Sequence, residues 1–539
     1  MKKTFLLSCL MLAAMPVMAA YTGRVYVDKN KNGVFDPGEK TWAGIKVSDG
    51  LNVVETAADG SFTLPGHERE RFIFITTPSG YKTFNRHYHK IEEKQSGYDF
   101  GLIPYSGRIR KNGSHRYIHI ADTEIFNTEN HADWVNNVRD YARNEQAAFI
   151  IHTGDICYEK GLKAHIKLMN TENMDCPVFY CIGNHDLVKG KYGEELFESI
   201  YGPVYYSFDA GNVHYVVTPM PGGDHAPGYT SDDVCRWLKN DLAHIRPGTP
   251  VVVFNHDLLT YEDTFIFKSK NAGSINLNEY NLKAWVYGHW HINYMKKQGD
   301  VYSVCTSSLD KGGIDHSTTA FRVMHVDSKG DFTSELRYTY LDKNICIASP
   351  AGVMASGVLP VAVNVYSSVS PVREVLYTCL ADGKPVLKNK RLLQSTDWSW
   401  NGELPLSHKY VGKELTLRVT ARFNNGEIAK AESNFVCRTE KVAPLFSADW
   451  DNLLGNAKHS APVSAPLNLP LQLAWTNNVG ANLYMTSPLI HKGKVIVASV
   501  DEDLKGAGHV YALNGKDGTI LWSLSLIHIS EPTRHLRIS

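Results

Sequence analysis

The sequence predicts a multidomain protein in which a central α/β domain lies between all-β modules. Five short blocks of candidate metal ligands occur in the middle of the chain, and each follows an apolar run typical of a buried strand. Short runs of alternating apolar and polar residues occupy the segments on both sides of this region. The length of 539 residues also suggests about three to four domains.

The central α/β prediction depends on five strand-and-ligand pairs in a fixed order. The apolar runs read RYIHIA, AAFIIHT, PVFYCI, VVVF and AWVY. The blocks that follow them are Asp122 and Glu124, Gly154 and Asp155, Gly183 to Asp186, His256, and Gly288 to His291. Because the carboxyl ends of strands in an α/β sheet meet at one edge, we expect these side chains to lie close together.

The residue types indicate a site for two divalent metal ions. Oxygen and imidazole ligands without a thiolate suit Zn, Mn, Fe or Mg, and they are too many for one four-coordinate ion. In the pairs Asp122/Glu124 and His289/His291, the two-residue spacing puts both side chains on one face of an extended segment. Asp155 is suited to bridge the ions. Two ions about 3.5–4 Å apart stabilise the attacking and leaving oxygens of a displacement at phosphorus.

The order of the blocks resembles the calcineurin-like metallophosphoesterase family, whose blocks read D-x-H, G-D, G-N-H-D or G-N-H-E, H, and G-H-x-H. The resemblance covers about residues 112–340. It implies a central αββα sandwich with two metal ions (Mn, Fe, Zn or Mg) that share Asp155. The implied ligands are Asp122, Glu124, Asp155 and His291 for the first ion, and Asp155, Asn184, His256 and His289 for the second.

The resemblance also implies the catalytic roles. A hydroxide that bridges the ions would attack the phosphate ester, since the ions lower its pKa. His185 would be the general acid that protonates the leaving alkoxide, and Asp186 would orient the His185 ring. The implied enzyme is a metal-dependent phosphoric ester hydrolase, and phosphodiesterase and phosphomonoesterase activity both stay open. The loops 158–175, 219–232 and 258–279, which contain Tyr158, Tyr229, Tyr261 and Phe265, are expected to form the cleft walls.

Glu124 departs from the family pattern, because this position usually carries histidine. Two divalent ions, the carboxylates of Asp122, Glu124 and Asp155, and one hydroxide sum to zero charge, whereas histidine at 124 would leave +1. We therefore expect a weaker Lewis acid, a first site that favours Mn or Mg over Zn, and a higher pH optimum. The alternative function is a catalytically weakened metal-binding scaffold or binding protein. Asp257 also departs from the family, which often has a second histidine there, and the sequence assigns it no role.

The start of the chain predicts export. Residues 1–20 have the layout of a secretory signal peptide, in which Lys2 and Lys3 precede an apolar run that ends in small residues. The expected location is the periplasm or cell surface of a bacterium, without a transmembrane segment. Lys plus Arg and Asp plus Glu both number 56, so no net charge favours nucleic acid as a partner.

Residues 21–105 are predicted to form a separate β-sandwich that contains a calcium-type loop. The loop has the ligand spacing of a twelve-residue calcium loop, but strands flank it instead of helices. It resembles the calcium-binding β-sandwich repeats of bacterial surface proteins, which implies one structural calcium ion. The alternative is a solvated acidic turn. The candidate ligands are Asp28, Asn30, Asn32, Val34, Asp36 and Glu39.

Three further segments follow the catalytic region, which is predicted at 106–345. Residues 346–440 have the strand spacing of an immunoglobulin-like β-sandwich, in which pairing of Cys379 with Cys437 stays open. Residues 441–523 resemble the first blade of a quinoprotein-type β-propeller, which could recruit a polymeric or glycan-linked phosphate ester. Residues 524–539 resemble the translation of a sequencing adapter, so we expect them to be an artefact.

Overall fold

The structure is a computed structural model that describes residues 20–525, apart from 93–94, 96, 342, 440–448, 461–472, 484–485, 500 and 503–507. The expected signal peptide, apart from Ala20, and residues 526–539 of the expected adapter segment lie outside the described residues. The described residues form a mostly β structure with four α-helices and several separate cores, in agreement with the predicted multidomain fold class. No described helix has the length and apolar character needed to cross a membrane.

The N-terminal strands form two four-stranded sheets around a shared core. The sheets have the strand orders β4-β1-β8-β6 and β3-β2-β5-β7. Val25 and Leu102 from the first sheet pack with Val47 and Ile73 from the second. The strands are β1 Tyr21–Val27, β2 Lys46–Ser48, β3 Val53–Glu55, β4 Ser61–Leu64, β5 Phe72–Ile75, β6 Tyr81–Thr83, β7 Tyr88–Lys90 and β8 Phe100–Pro104.

Two mixed sheets with a common core occupy the centre of the chain. Their strand orders are β11-β10-β9-β20-β21 and β12-β13-β14-β17-β19-β18, and β15 pairs with β16 alone. Phe149 of the first sheet contacts Tyr215 of the second, with the ring centroids 5.0 Å apart. The strands are β9 His115–Ile120, β10 Phe149–His152, β11 Val178–Tyr180, β12 Tyr206–Ala210, β13 Val213–Val217, β14 Val251–Phe254, β15 Ile266–Lys268, β16 Ser274–Asn276, β17 Leu282–Tyr287, β18 Tyr294–Gln298, β19 Val301–Cys305, β20 Ala320–Val326 and β21 Phe332–Tyr338.

The helices pack against these two sheets, which is partly consistent with the expected αββα sandwich. Successive residues of β10 belong to different cores: Phe149 joins the core between the sheets, and Ile150 packs with Trp134 of the first helix. The fourth helix joins the core of the second sheet through Trp237 and Leu238. The helices are α1 Ala132–Asn144, α2 Tyr158–Leu168, α3 Glu195–Tyr201 and α4 Ser231–Ala243.

Two sheets around a separate core follow the central domain. Their orders are β22-β24-β28-β27 and β23-β30-β29-β25-β26. Cys379 and Cys437 are both buried and both free. They lie on β25 and β30, which β29 separates, so the two strands are about 9–10 Å apart, beyond the reach of a disulfide. The strands are β22 Asn344–Ser349, β23 Gly352–Ala355, β24 Val358–Tyr366, β25 Val372–Ala381, β26 Lys384–Arg391, β27 Leu393–Gln394, β28 Ser399–Pro405, β29 Glu414–Phe423 and β30 Ile428–Arg438.

The last described segment forms one antiparallel sheet in the order β32-β33-β35-β36, beside a short pair of β31 with β34. Tyr511 and Leu513 pack with Val497 in a small core. The described residues form this sheet and no closed propeller. The strands are β31 Ala481–Asn482, β32 Leu489–His491, β33 Lys494–Ala498, β34 Asp501–Glu502, β35 His509–Asn514 and β36 Ile520–Ser525.

Candidate metal centre

The five predicted blocks meet at the carboxyl ends of five strands, as the sequence pattern predicts. Asp122 follows β9, Asp155 follows β10 and Asn184 follows β11, and these three strands are parallel neighbours. His256 follows β14 and His289 follows β17, which are parallel neighbours in the second sheet. The centre therefore lies where the edges of two sheets meet, not along the edge of a single sheet.

Two groups of ligand atoms lie close enough to hold metal ions, and Asp155 belongs to both. One group contains Asp155, His256 and His289, and the other contains Asp122, Asp155 and His291, with the ligand atoms of each group within 4.8 Å of one another. His256 Nε2 lies 3.1 Å from Asp155 Oδ2. His291 Nε2 lies 3.4 Å from Asp122 Oδ1 and 3.6 Å from Glu124 Oε1.

The backbone adopts an unusual conformation at these ligands. Five non-glycine residues of the blocks have positive φ, a region that residues with a Cβ occupy rarely because of steric conflict. Such strain costs about 1–3 kcal/mol per residue and persists only where the surrounding structure enforces it. The residues and their φ values are Asp122 (52°), Glu124 (45°), Asp155 (55°), His289 (65°) and His291 (51°).

The glycines of the blocks are required because the ligands pack against their α-carbons. A Cβ at Gly154 would lie 2.5 Å from His256 Nδ1, and a Cβ at Gly183 would lie 2.3 Å from both N and Oδ1 of Asp155. A Cβ at Gly288 would lie 2.7 Å from Ala121 Cβ. Since contacts this short do not occur, the glycines allow the strand ends to approach closely.

The electrostatics of the centre fit divalent cations. Burial raises the pKa of Asp122 well above its usual range, and the nearby carboxylates of Asp155 and Glu124 add to this effect. Burial also disfavours ionisation of Asp155, but the charge and hydrogen bond of His256, together with the interactions of His185, outweigh it and lower the Asp155 pKa. Asn184 Oδ1 is buried without a hydrogen-bond partner, and the buried His256 Nε2 faces Asp155 Oδ2 at 3.1 Å. Clustered carboxylates with a free amide oxygen and nearby imidazole nitrogens are a suitable donor set for two divalent ions.

The structure corrects the expected role of Asp186. The Asp186 carboxylate is buried and accepts hydrogen bonds from the backbone N–H groups of Cys157 at 2.8 Å and Gly183 at 2.9 Å. It therefore ties the segments after β10 and β11 together and does not contact the His185 ring. Burial is the main reason that the pKa of Asp186 is raised to about 6.

Asp224 is the carboxylate that orients His185. Its Oδ2 lies 2.9 Å from His185 Nδ1, and the ring is about one-third exposed. Partial burial opposes the charged ring, but the hydrogen bond to Asp224 and the charge of Asp155 raise the His185 pKa. No local pattern in the sequence singles out Asp224, because it lies 39 residues from His185 in a loop without a recognisable motif.

The loop that carries Asp224 is held at both ends. Asp224 N–H donates to Asn184 O at 3.1 Å, and a Cβ at Gly223 would lie 2.3 Å from the same oxygen. At the other end, Gly228 N–H donates to Glu194 Oε2 at 2.8 Å, and Gly228 O accepts from Arg69 at 2.7 Å. The loop is thus fixed against both the metal-ligand blocks and the N-terminal module.

Two other residues that the sequence did not assign contact the centre. Lys311 Nζ lies 3.0 Å from Glu124 Oε2 and 3.1 Å from Glu124 O. The Asp257 carboxylate accepts a hydrogen bond at 3.1 Å from Trp290 Nε1, between His289 and His291. Asp257 therefore fixes the turn that carries the last two ligands.

The expected cleft walls are only partly formed by the aromatic residues named from the sequence. Tyr229 and Phe265 are buried, and both belong to cores. Tyr158 and Tyr261 are exposed. Residues 158–168 form α2 and are not a loop.

The calcium-type loop turns its polar side chains toward one another. The buried Asp28 carboxylate accepts from the N–H groups of Asn32 at 3.2 Å and Gly33 at 2.9 Å. Asp36 Oδ2 accepts from the side-chain amides of Asn30 and Asn32, both at 2.8 Å. Glu39 accepts from the N–H groups of Lys29 at 2.8 Å and Asp36 at 3.1 Å, and Val34 N–H donates to Asn32 Oδ1 at 2.9 Å.

Comparison with known proteins agrees with this geometry. Residues 115–293 match the family model for calcineurin-like phosphoesterase, and residues 29–104 match the model for the N terminal of calcineurin-like phosphoesterase. The chain contains calcineurin-like phosphoesterase domains. It is similar to purple acid phosphatase 13 of Arabidopsis thaliana, with 26% identity over 215 residues that span 37% of this chain and 36% of that protein.

Solved structures resemble this chain only weakly. A conserved protein of Streptococcus pneumoniae, described as a predicted phosphoesterase, shares 10% identity and has a TM-score of 0.20, over 42% of this chain and 98% of that one. CopC from Methylosinus trichosporium OB3b shares 13% identity and has a TM-score of 0.15, over 19% of this chain and all of that one. TM-scores this low support no inference about the fold.

Substitution of Gly183 tests the close packing at the candidate metal centre. We expect Gly183→Ala to lower the thermal unfolding midpoint and to weaken Mn²⁺ binding at least tenfold, since the new methyl group would displace Asp155. Calorimetry of Mn²⁺ binding and of unfolding measures both effects. Gly222→Ala is the matched control, because a Cβ there meets nothing within 4 Å. Equal behaviour of the two variants would contradict the packing argument.

Proposed function

We propose that the protein hydrolyses phosphate esters at a centre of two divalent ions, which could be Mn, Fe, Zn or Mg. The observation that carries the proposal is the pair of ligand groups that share Asp155 within a calcineurin-like domain. In this proposal, the first ion is held by Asp122, Glu124, Asp155 and His291, and the second by Asp155, Asn184, His256 and His289. Two bound ions would polarise the phosphoryl group and activate water for attack on phosphorus.

His185 would deliver the proton to the leaving oxygen in this proposal. Its Nδ1 is engaged by Asp224, so Nε2 is the nitrogen available to a substrate. Its backbone N–H donates to Asp155 Oδ1 at 3.0 Å, which fixes the residue relative to the ligands. The hydrogen bond to Asp224 raises the His185 pKa, which favours the protonated ring that a general acid requires.

Removal of the general acid or of its carboxylate partner tests the proposal. The full chain would be stripped of metal, reloaded with Mn, Fe, Zn or Mg, and assayed with n-butyl phosphate, p-nitrophenyl phosphate and bis-p-nitrophenyl phosphate. We expect His185→Ala to lower kcat for the butyl ester about 10²- to 10⁴-fold and Asp224→Asn to lower it less. The loss should be smaller with the nitrophenyl esters, because nitrophenolate leaves without a proton.

The control for these variants is His225→Ala, the exposed histidine next to Asp224. Metal-dependent turnover that His185→Ala leaves intact would contradict the assigned role. The ratio of diester to monoester turnover would decide between phosphodiesterase and phosphomonoesterase activity. If two ions bind and no ester is hydrolysed, the alternative of a silenced scaffold or binding protein is favoured.

Lys311 changes what is expected of Glu124. The sum of zero charge for two ions, three carboxylates and one hydroxide becomes +1 when the Lys311 ammonium 3.0 Å from Glu124 is included. This equals the sum for a centre with histidine at position 124. The effects expected of Glu124 should therefore appear mainly when Lys311 is removed. These effects are weaker Lewis acidity, a preference for Mn or Mg, and a higher pH optimum.

A double-mutant cycle tests this charge balance. We expect Lys311→Met to lower kcat/KM about tenfold and to raise the pH optimum by about half a unit to one unit, because negative charge next to the ions is then uncompensated. Lys311→Arg should retain the wild-type profile, and Glu124→His should restore it in the Lys311→Met background. Activity and metal affinity would be measured against pH. An unchanged pH profile in Lys311→Met would reject the compensation.

We further propose that the loop from Asp28 to Glu39 binds one structural calcium ion. The support is its calcium-loop spacing, together with the Asp28 and Asp36 carboxylates that accept from the loop's own amides. Calcium at 100 times its Kd should then raise the free energy of unfolding by about 2.7 kcal/mol. Asp28→Asn should abolish the effect, whereas Asp59→Asn, at an exposed aspartate, should not. Unfolding of the full chain with calcium or with a chelator measures it. If calcium has no effect, the loop is a solvated acidic turn.

The cellular location of the protein and the domains on both sides of the catalytic domain are also proposals. We propose an exported enzyme that acts in the periplasm or at the cell surface on a phosphate ester, polymeric or glycan-linked. The signal-type residues 1–20 and the segments 21–105, 106–345, 346–440 and 441–523 are the proposed units. Cell fractionation of the full-length protein tests the location, and recovery in the cytosol would contradict it.

A further inference from the structure

An exposed pair of aromatic rings lies beside His185. The Phe126 and Tyr158 side chains are 57% and 44% exposed, and their rings are nearly parallel, with an interplanar angle of 15° and centroids 6.4 Å apart. The Tyr158 ring centroid lies 5.4 Å from that of His185. Phe126 follows Glu124 by two residues, and Tyr158 follows Asp155 by three. Both rings are therefore attached directly to segments that carry proposed metal ligands.

Neither ring is placed there by the hydrophobic core. Phe126 and Tyr158 belong to none of the core clusters of the described residues. Tyr158 has a φ of 56° and the preceding Cys157 a φ of 71°, a conformation that is costly for bulky residues. Exposed apolar area and backbone strain that occur together at the edge of a centre are typical of a ligand-binding surface.

A second aromatic pair is attached to the last ligand block. Tyr261 is 74% exposed and stacks on Trp290, with an interplanar angle of 24° and centroids 6.0 Å apart. Trp290 lies between the two ligands of the last block and is held by Asp257. This pair has no contact with His185 among the described ring contacts, so only the first pair adjoins the proposed general acid.

We propose that Phe126 and Tyr158 bind the leaving group of the substrate, and that this group contains a ring with a flat apolar face. The inference rests on the proposed phosphoesterase function, because His185 would protonate the oxygen to which the leaving group is attached. That group must then lie next to the ring that contacts His185, which is Tyr158. Two parallel rings with exposed faces bind flat rings better than flexible chains of equal size. Aromatic rings, including nucleobases, and the apolar face of a sugar share this chemistry.

Three esters of primary alcohols test the leaving-group site without a large change in leaving-group acidity. They are benzyl phosphate, glucose 6-phosphate and n-butyl phosphate, which carry an aromatic ring, a sugar ring and no ring. We expect kcat/KM to be higher for one ring-containing ester than for the butyl ester. Phe126→Leu and Tyr158→Leu should each reduce this preference about three- to tenfold, mainly through KM, and Tyr158→Phe should retain it. If the leucine variants reduce the preference for benzyl phosphate, the leaving group is aromatic. If they reduce the preference for glucose 6-phosphate, it is a sugar.

Equilibrium binding separates this inference from the proposed reaction. The affinities of benzylphosphonate and butylphosphonate for the metal-loaded full chain would be measured by calorimetry, with Trp398→Leu, between β27 and β28, as an exposed aromatic control. A benzyl preference that the leucine variants lose supports the site, even if no ester is hydrolysed. Equal affinity for both phosphonates together with no ring preference among the esters overturns it. A ring preference that survives both leucine substitutions overturns it as well.

Discussion

The buried carboxylate of Asp155 is the constraint on which the rest of the centre depends. It accepts from the backbone N–H of His185 and lies 3.1 Å from His256 Nε2, so it joins the first central sheet to the second. An unpaired carboxylate at this depth would cost several kcal/mol, and its partners must therefore stay in place. The strand ends after β10, β11 and β14 are held at fixed distances by this requirement. Gly154 and Gly183, which follow β10 and β11, make the close approach possible.

The N-terminal module supports the loop that orients His185. Arg71 contacts Glu194 at 2.6 Å and Glu198 at 2.8 Å, and Glu194 in turn accepts from Gly228 N–H. Glu194 is fully buried, so loss of its cationic partner would be strongly destabilising, by about 3–5 kcal/mol. The path from Arg71 to the Asp224 loop gives the N-terminal β module a mechanical connection to the proposed general acid. This connection is a physical reason for the two modules to occur in one chain.

Charge and strain are both concentrated at the proposed centre. Burial is the main reason that the pKa of Asp122 is raised, and repulsion from the Asp155 and Glu124 carboxylates adds to it. Lys311 offsets part of this charge next to Glu124. Positive φ at five ligands adds a backbone cost of about 1–3 kcal/mol each. Divalent ions would relieve the repulsion, so metal binding and local stability are expected to be coupled.

The sequence by itself determined the five strands of the centre, the ligand types that follow them and the β character of the flanking segments. These features depend on local periodicity and on short blocks, which are visible in a window of about ten residues. Only the tertiary structure decided that the blocks meet between two sheets, that Asp224 rather than Asp186 orients His185, and that Lys311 pairs with Glu124. Asp224 and Lys311 lie 39 and 187 residues from their partners. Which distant residues become hydrogen-bond partners depends on how the loops fold in three dimensions. Local patterns in the sequence do not encode the course of these loops.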